Sequence, residues 1–404
     1  MNLVRGVLER TRSAHAPPLL AFVEDAATKQ AVEQLAADLA MDAAVVRGGC
    51  DEAIARLGTS RSPKILLVDL SGADFPLAKV EELANVCDPS VQMIAIGDRN
   101  DVGLYRDLIA RGVSDYLVKP ISSTLIQTSL SRLIASSGEL LGHQTKQGRL
   151  IAVLGARGGV GCTTVAGSLA WILAEVRRRR TMLIDLDPYF GTVALGFDHE
   201  PSRGFRDALE DTVNIDSLVV ERITASISDK LSIIAAEEEL DAVPQSELPG
   251  LRPLLVSVRQ THHFVVVDVP HGCLRYGLEV LPDATDLIIV SHLTVASLRD
   301  AVRLSALAGK TSGPVNVSVV ANAVGGHRHG ELSRQEFENG LGRPLAAVIP
   351  FDGKAVLSAA NAGKPIPLAS ARVRAAVAEL ADRLCGSGGA AARSSLSRLF
   401  RRGR

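Results

Sequence analysis

Short apolar runs of three to six residues recur along the chain, and a stretch with helical spacing follows most of them. No feature constrains the fold more, because a strand that returns through a helix pairs in parallel and is covered on both faces. Five such runs fall at 19–23, 43–46, 65–68, 93–96 and 116–118, and seven more at 150–154, 182–184, 231–235, 264–267, 287–290, 315–320 and 345–348. A polar, glycine-containing stretch at 135–149 separates the two groups and reads as a linker. The expected fold class is therefore α/β, with two doubly wound parallel-sheet domains. The expected bounds are a leader at 1–16, a first domain at 17–135, a linker at 136–148, a second domain at 149–385 and a basic tail at 386–404.

At 404 residues the chain has material for two sizeable cores. A formal net charge of −1 gives no global pull toward polyanions, and 3% aromatic residues leave little for base stacking, so no DNA partner is expected. Cys50, Cys87, Cys162, Cys273 and Cys385 lie far apart with no CxxC pattern, which implies neither a disulfide framework nor a zinc site and fits a cytoplasmic location. The first residues lack a signal-peptide core, and no run reaches the roughly 18 apolar residues of a membrane span.

The chemistry concentrates after the run at 150–154, in the segment GARGGVGCTT at 155–164. Gly158, Gly159 and Gly161, with the intervening Val160, let backbone N–H groups curl around phosphate, and the helix that follows adds positive potential at its start. Thr163 supplies a hydroxyl for Mg²⁺, next to Thr164. Cys162 stands where a Walker A loop has its lysine, and Ala156 where GxxxxGK[ST] has its first glycine, so the strict motif is not met. Asp185 and Asp187 end the next strand, and Asp268 ends FVVVDVP in the arrangement that holds Mg²⁺ through water. Three elements at strand C-termini converge where an open α/β sheet binds its ligand.

Together these motifs resemble the deviant-Walker-A ATPases of the MinD/ParA (SIMIBI) group, over roughly residues 149–385. The resemblance implies an ATP·Mg²⁺ site shared across a homodimer, with Arg157 in the place of the signature lysine that reaches the partner subunit's nucleotide. It also implies that Asn322, in VVANAVGG, contacts adenine, and that Asp187 positions water. The first domain resembles a response-regulator receiver of flavodoxin type. Glu24 and Asp25 match its acidic pair, Asp69 its phosphoacceptor and Lys119 its KP signature, while Gly97 stands where a receiver has Ser or Thr. A receiver-like domain followed by such an ATPase, with the segment IIAAEEEL at 233–240, resembles the CpaE/TadZ proteins of Flp/Tad (type IVb) pilus assembly. That resemblance implies pilus or secretion components as partners and a peripheral place at the inner membrane or cell pole.

Replacing the lysine removes a charge-assisted hydrogen bond, at about 1.5–3 kcal/mol, or roughly 10- to 150-fold in affinity. A donor aimed at transition-state charge is worth about 10²–10³ in rate. The expectation is an ATP-binding assembly factor with slow or absent hydrolysis. Two alternatives stay open: an active ParA- or MinD-like positioning ATPase, and a phosphorylation-gated effector.

Other features carry plainer readings. Arg177 to Arg180 read as a solvated helix end, His262 and His263 as surface or capping residues, and Trp171 as core. In the tail, Leu396, Leu399 and Phe400 fall at i, i+3 and i+4 among arginines, each of which adds about 1 kcal/mol near an anionic leaflet. A weakly membrane-binding interfacial helix and a disordered solubilising tail are equally consistent with that pattern.

Overall fold

The computed structural model describes residues 18–385 apart from 40, 61, 139–146, 203, 211–214, 216, 241–247, 274–278, 311–314 and 327–329. The chain divides into two compact units between Gln147 and Gly148.

The first unit carries strands β1 (Leu19–Val23), β2 (Ala43–Arg47), β3 (Ile65–Asp69), β4 (Gln92–Gly97) and β5 (Asp115–Val118). They pair in parallel in the order β2-β1-β3-β4-β5. Helices α1 (Ala26–Asp38), α2 (Cys50–Leu57), α3 (Pro76–Val86) and α4 (Val102–Ala110) make the crossovers, and α5 (Ser123–Gly138) follows β5. The period of two along each strand divides the core. Leu20 and Phe22 join one buried cluster with Leu66 and Val68, whereas Leu19, Ala21 and Val23 join the other with Leu67 and Ile94.

The second unit is built around an eight-stranded sheet. Its strands are β6 (Arg149–Gly155), β7 (Thr181–Asp185), β8 (Ala225–Ser226), β9 (Leu231–Ile234), β10 (Phe264–Val269), β11 (Asp286–Ser291), β12 (Asn316–Val324) and β13 (Ala347–Pro350). Their order is β13-β12-β11-β6-β10-β7-β9-β8. Its longer helices are α6 (Cys162–Trp171), α7 (Leu251–Thr261), α8 (Val295–Ala308) and α9 (Ala371–Leu384). Again the two faces alternate: Leu150, Ala152 and Leu154 face one core, Ile151 and Val153 the other.

From β6 the chain passes to β7, and only later returns to lay β10 between them and β11 on the far side. The strand order therefore reverses beside β6, and the crevice at a sheet's carboxyl edge opens at such a reversal. Among the described residues the one antiparallel pairing is β8 with β9 at the sheet edge. Two residues are too few to carry a strand pattern, and β8 is absent from the apolar runs.

Candidate functional site

The loop at 156–161 leaves β6 at that reversal. Gly159 has φ +80° and Gly161 φ +84°, left-handed conformations that a side chain resists, and Gly161 caps the start of α6. A Cβ on Gly159 would meet nothing within 4 Å, and one on Gly158 only the His271 ring at 4.0 Å. The space against these two glycines is open, as a phosphate cradle requires. Helix α6 begins at Cys162, so the N–H groups of Cys162, Thr163 and Thr164 stand at its positive end.

Cys162 does not extend along this cradle. Its thiol donates to the Val153 carbonyl at 3.3 Å and packs against the core below. Burial raises its pKa well above the ordinary thiol value, and the neighbouring Asp268 carboxylate raises it further. A buried neutral thiol fits this environment, and a reactive thiolate does not.

Asp185 and Asp268 are partners across the β7–β10 register and are 2% and 4% exposed. Asp185 accepts from the Asp187 N–H at 3.0 Å and the Val193 N–H at 3.2 Å. Burial, then the facing Asp268 carboxylate, pushes the Asp185 carboxyl up to about 7. Burial also raises Asp268, against hydrogen bonds from Thr163 and Cys162 that lower it. Two buried carboxylates side by side with one hydroxyl are an unfavourable group until a cation joins them. Among the described residues no group of three or more His, Cys, Asp and Glu side chains is placed to hold a metal ion.

The other residues singled out in the sequence are engaged locally. Asp187 accepts through one carboxylate oxygen from the N–H groups of Tyr189 at 3.1 Å and Phe190 at 3.0 Å, closing a turn. Asn322 donates to the Val160 carbonyl at 2.8 Å, bracing the loop from the side. It sits where β12 loses register with β13 between Ala321 and Val324, and Ala323 takes a φ of 54°. Arg157 pairs within its own chain with Asp300 of α8 at 2.9 Å, where Arg299 and Arg303 also converge. Neither Asp300 nor His271, whose Nδ1 lies 3.1 Å from the Gly155 carbonyl oxygen, carries a motif that the sequence alone exposes.

In the first unit the predicted carboxylate cluster assembles at the ends of β1, β3 and β5. Lys119 Nζ lies 2.7 Å from Asp69 and 2.6 Å from Asp25. Burial works to lower the Lys119 pKa, but its bonds to Asp25 and Asp69 raise it overall. The Lys119 bond, then that from the Thr28 N–H, holds Asp25 well below the carboxylate range, and Asp25 also caps α1. Asp69 is 1% exposed, and both its oxygens are occupied. One accepts from the Ser71 hydroxyl and N–H, the other from Lys119 and the Glu24 N–H. Glu24 itself is exposed. At Gly97 a Cβ would lie 2.4 Å from the Tyr116 hydroxyl, which donates to the Arg99 carbonyl at 2.9 Å. The tyrosine thus occupies the room that a Ser or Thr side chain needs.

One plainer reading changes. The arginines at 177–180 are not a purely solvated helix end: Arg177 pairs with Asp382 of α9 at 2.7 Å, and Arg179 and Arg180 are half-buried. His262 caps α7, as expected, and is partly buried, with Nδ1 3.1 Å from the Val258 carbonyl oxygen. Trp171 packs, partly buried, against the core. Leu396, Leu399 and Phe400 lie outside the described residues. Among the described residues no helix is long and apolar enough to cross a membrane.

The chain is similar to known proteins. Residues 148–312 match the family described as "AAA domain". The septum site-determining protein MinD of Neisseria meningitidis serogroup B is 28% identical over 233 residues, which are 54% of this chain and 83% of that protein. The structure of the Pyrococcus furiosus cell division ATPase MinD matches 60% of this chain and 100% of its own, with a TM-score of 0.51 at 22% identity. A putative CpaE2 pilus assembly protein of Sinorhizobium meliloti is 36% identical, with 28% of this chain and 97% of that one covered, at a TM-score of 0.27. The second unit, with a glycine loop after β6 and paired aspartates on the adjoining strands, shares the fold of the MinD structure and is similar in sequence to MinD proteins.

Proposed function

We propose that this protein is an ATP-binding localisation and assembly factor that dimerises on nucleotide and hydrolyses it slowly or not at all. The observation that carries the reading is Cys162, turned inward under a cradle that is otherwise open. The N–H groups of residues 158–164 bind the phosphates. Thr163, Asp185 and Asp268 hold Mg²⁺, largely through water, and the bound cation neutralises charge on the phosphates and on the aspartates. Asn322 keeps the loop in shape beside the base. Asp187, committed to its turn, is a poor base, and no side chain of the loop itself carries a cation to the leaving phosphate oxygens. Arg157 must leave Asp300 before it reaches across a dimer.

The assignment to Flp/Tad pilus or secretion assembly rests on layout: a receiver-like unit, then a MinD/ParA unit without the loop lysine. The receiver-like unit is proposed as an interaction module. A fully bonded Asp69 and the tyrosine over Gly97 weigh against phosphorylation there. A cytoplasmic protein with its basic tail on an anionic membrane completes the proposal.

ATP binding, phosphate release and light-scattering mass, measured on the full chain and on Cys162→Lys, test the reading. The expected result is binding and a doubled mass without phosphate release in the wild type. Cys162→Lys should bind about 10- to 150-fold more tightly. Steady turnover by the wild type would establish the motor reading instead, and absence of binding in both proteins would reduce the loop to a scaffold.

A further inference from the structure

The turn after β10 brings an imidazole to the glycine loop. His271 opens a short 3₁₀ turn, His271–Cys273, beyond Asp268 and is itself exposed. Its Nδ1 lies 3.1 Å from the carbonyl oxygen of Gly155, the last residue of β6. A carbonyl only accepts, so the bond places a hydrogen on Nδ1 and leaves Nε2 as the uncommitted nitrogen of that ring contact. The edge that carries Nε2 lies toward the loop. Cδ2, bonded to Nε2, is the one atom within 4 Å that a Cβ on Gly158 would meet outside its immediate neighbours, at 4.0 Å.

We infer that His271 is a phosphate-binding residue: anchored through Nδ1–H on Gly155, the protonated ring donates Nε2–H to a phosphate oxygen of the nucleotide held at 158–164. The inference rests on the nucleotide reading of the site and adds the source of its positive charge. The loop's own side chains do not supply that charge. Cys162 is neutral and turned inward, and Arg157 is held by Asp300 at 2.9 Å. The charged or titratable groups on the loop and at the adjoining strand ends are Arg157 on the loop, Asp268 on β10, Asp185 and Asp187 at the end of β7, and His292 after β11. A polyphosphate beside the ring favours the imidazolium over the neutral form.

Full-length protein, His271→Ala and His271→Gln are titrated with ATP in the calorimeter. His271→Ala should bind ATP roughly 10- to 150-fold more weakly, the value of one charge-assisted hydrogen bond. His271→Gln, which keeps an N–H donor without the charge, should fall between the wild type and His271→Ala. The histidine Cε1–H resonance of the wild type should shift downfield on adding ATP, a readout that needs no variant. Wild-type binding with unchanged affinity in His271→Ala overturns the inference alone. Absence of ATP binding by the wild type overturns the nucleotide reading and this inference with it.

Discussion

At position 162 a thiol takes the place of an ammonium group, and the backbone around it keeps the form of a phosphate loop. The reason is that glycine torsions at 159 and 161 and the Asn322 brace shape the loop, and none of these depends on the side chain at 162. The same separation applies to Arg157. Its pair with Asp300 is partly exposed, so water screens it and it restrains the guanidinium only weakly. Asp300→Ala should strengthen ATP-dependent dimerisation by up to about fivefold, and Arg157→Ala should weaken it. Light scattering across a concentration series reads both. An unchanged dimer in Asp300→Ala would mean that the pair does not compete with dimerisation. Arg157 was legible in the sequence because it sits inside a motif. Asp300, His271 and Tyr116 were not, because each reaches its site from another element and nothing at its own position marks the destination.

Among the elements, the strands were the most legible. Runs buried on both faces are mostly apolar, so composition delimits most of them. Edge strand β8 and the capping of α7 depend instead on neighbours. At the end of α7, burial and then the Arg180 charge push the His262 pKa down to about 4, although its bond to the Val258 carbonyl works the other way. The unfolded chain binds this proton below about pH 6.5, the folded chain only below about 4. His262 therefore contributes stability that is complete above pH 6.5 and is lost as pH falls through 4, on the order of 3 kcal/mol. Melting temperatures of the wild type should fall across that window, and His262→Gln should flatten the His262 part of the slope. A parallel decline in both proteins would assign the acid sensitivity to the carboxylates.

For the molecule as a whole, two units with separate cores should not melt as one. Calorimetry should resolve two transitions. Saturating ATP·Mg²⁺ should raise only the one belonging to the second unit, by about 2.7 kcal/mol at a hundredfold excess over Kd. A common shift of both would show coupling between the units. The order of the parts and the class of each sheet followed from the sequence by itself, because apolar periodicity and glycine torsion are local properties that every compact state of the chain must respect. Only the tertiary structure decided which side chains meet at the loop. The inward thiol on Val153, the aspartates paired across β7 and β10, the tyrosine over Gly97 and the imidazole beside Gly158 are all contacts between residues distant in sequence. Their positions follow from sheet register and strand order, which the chain acquires only when it folds.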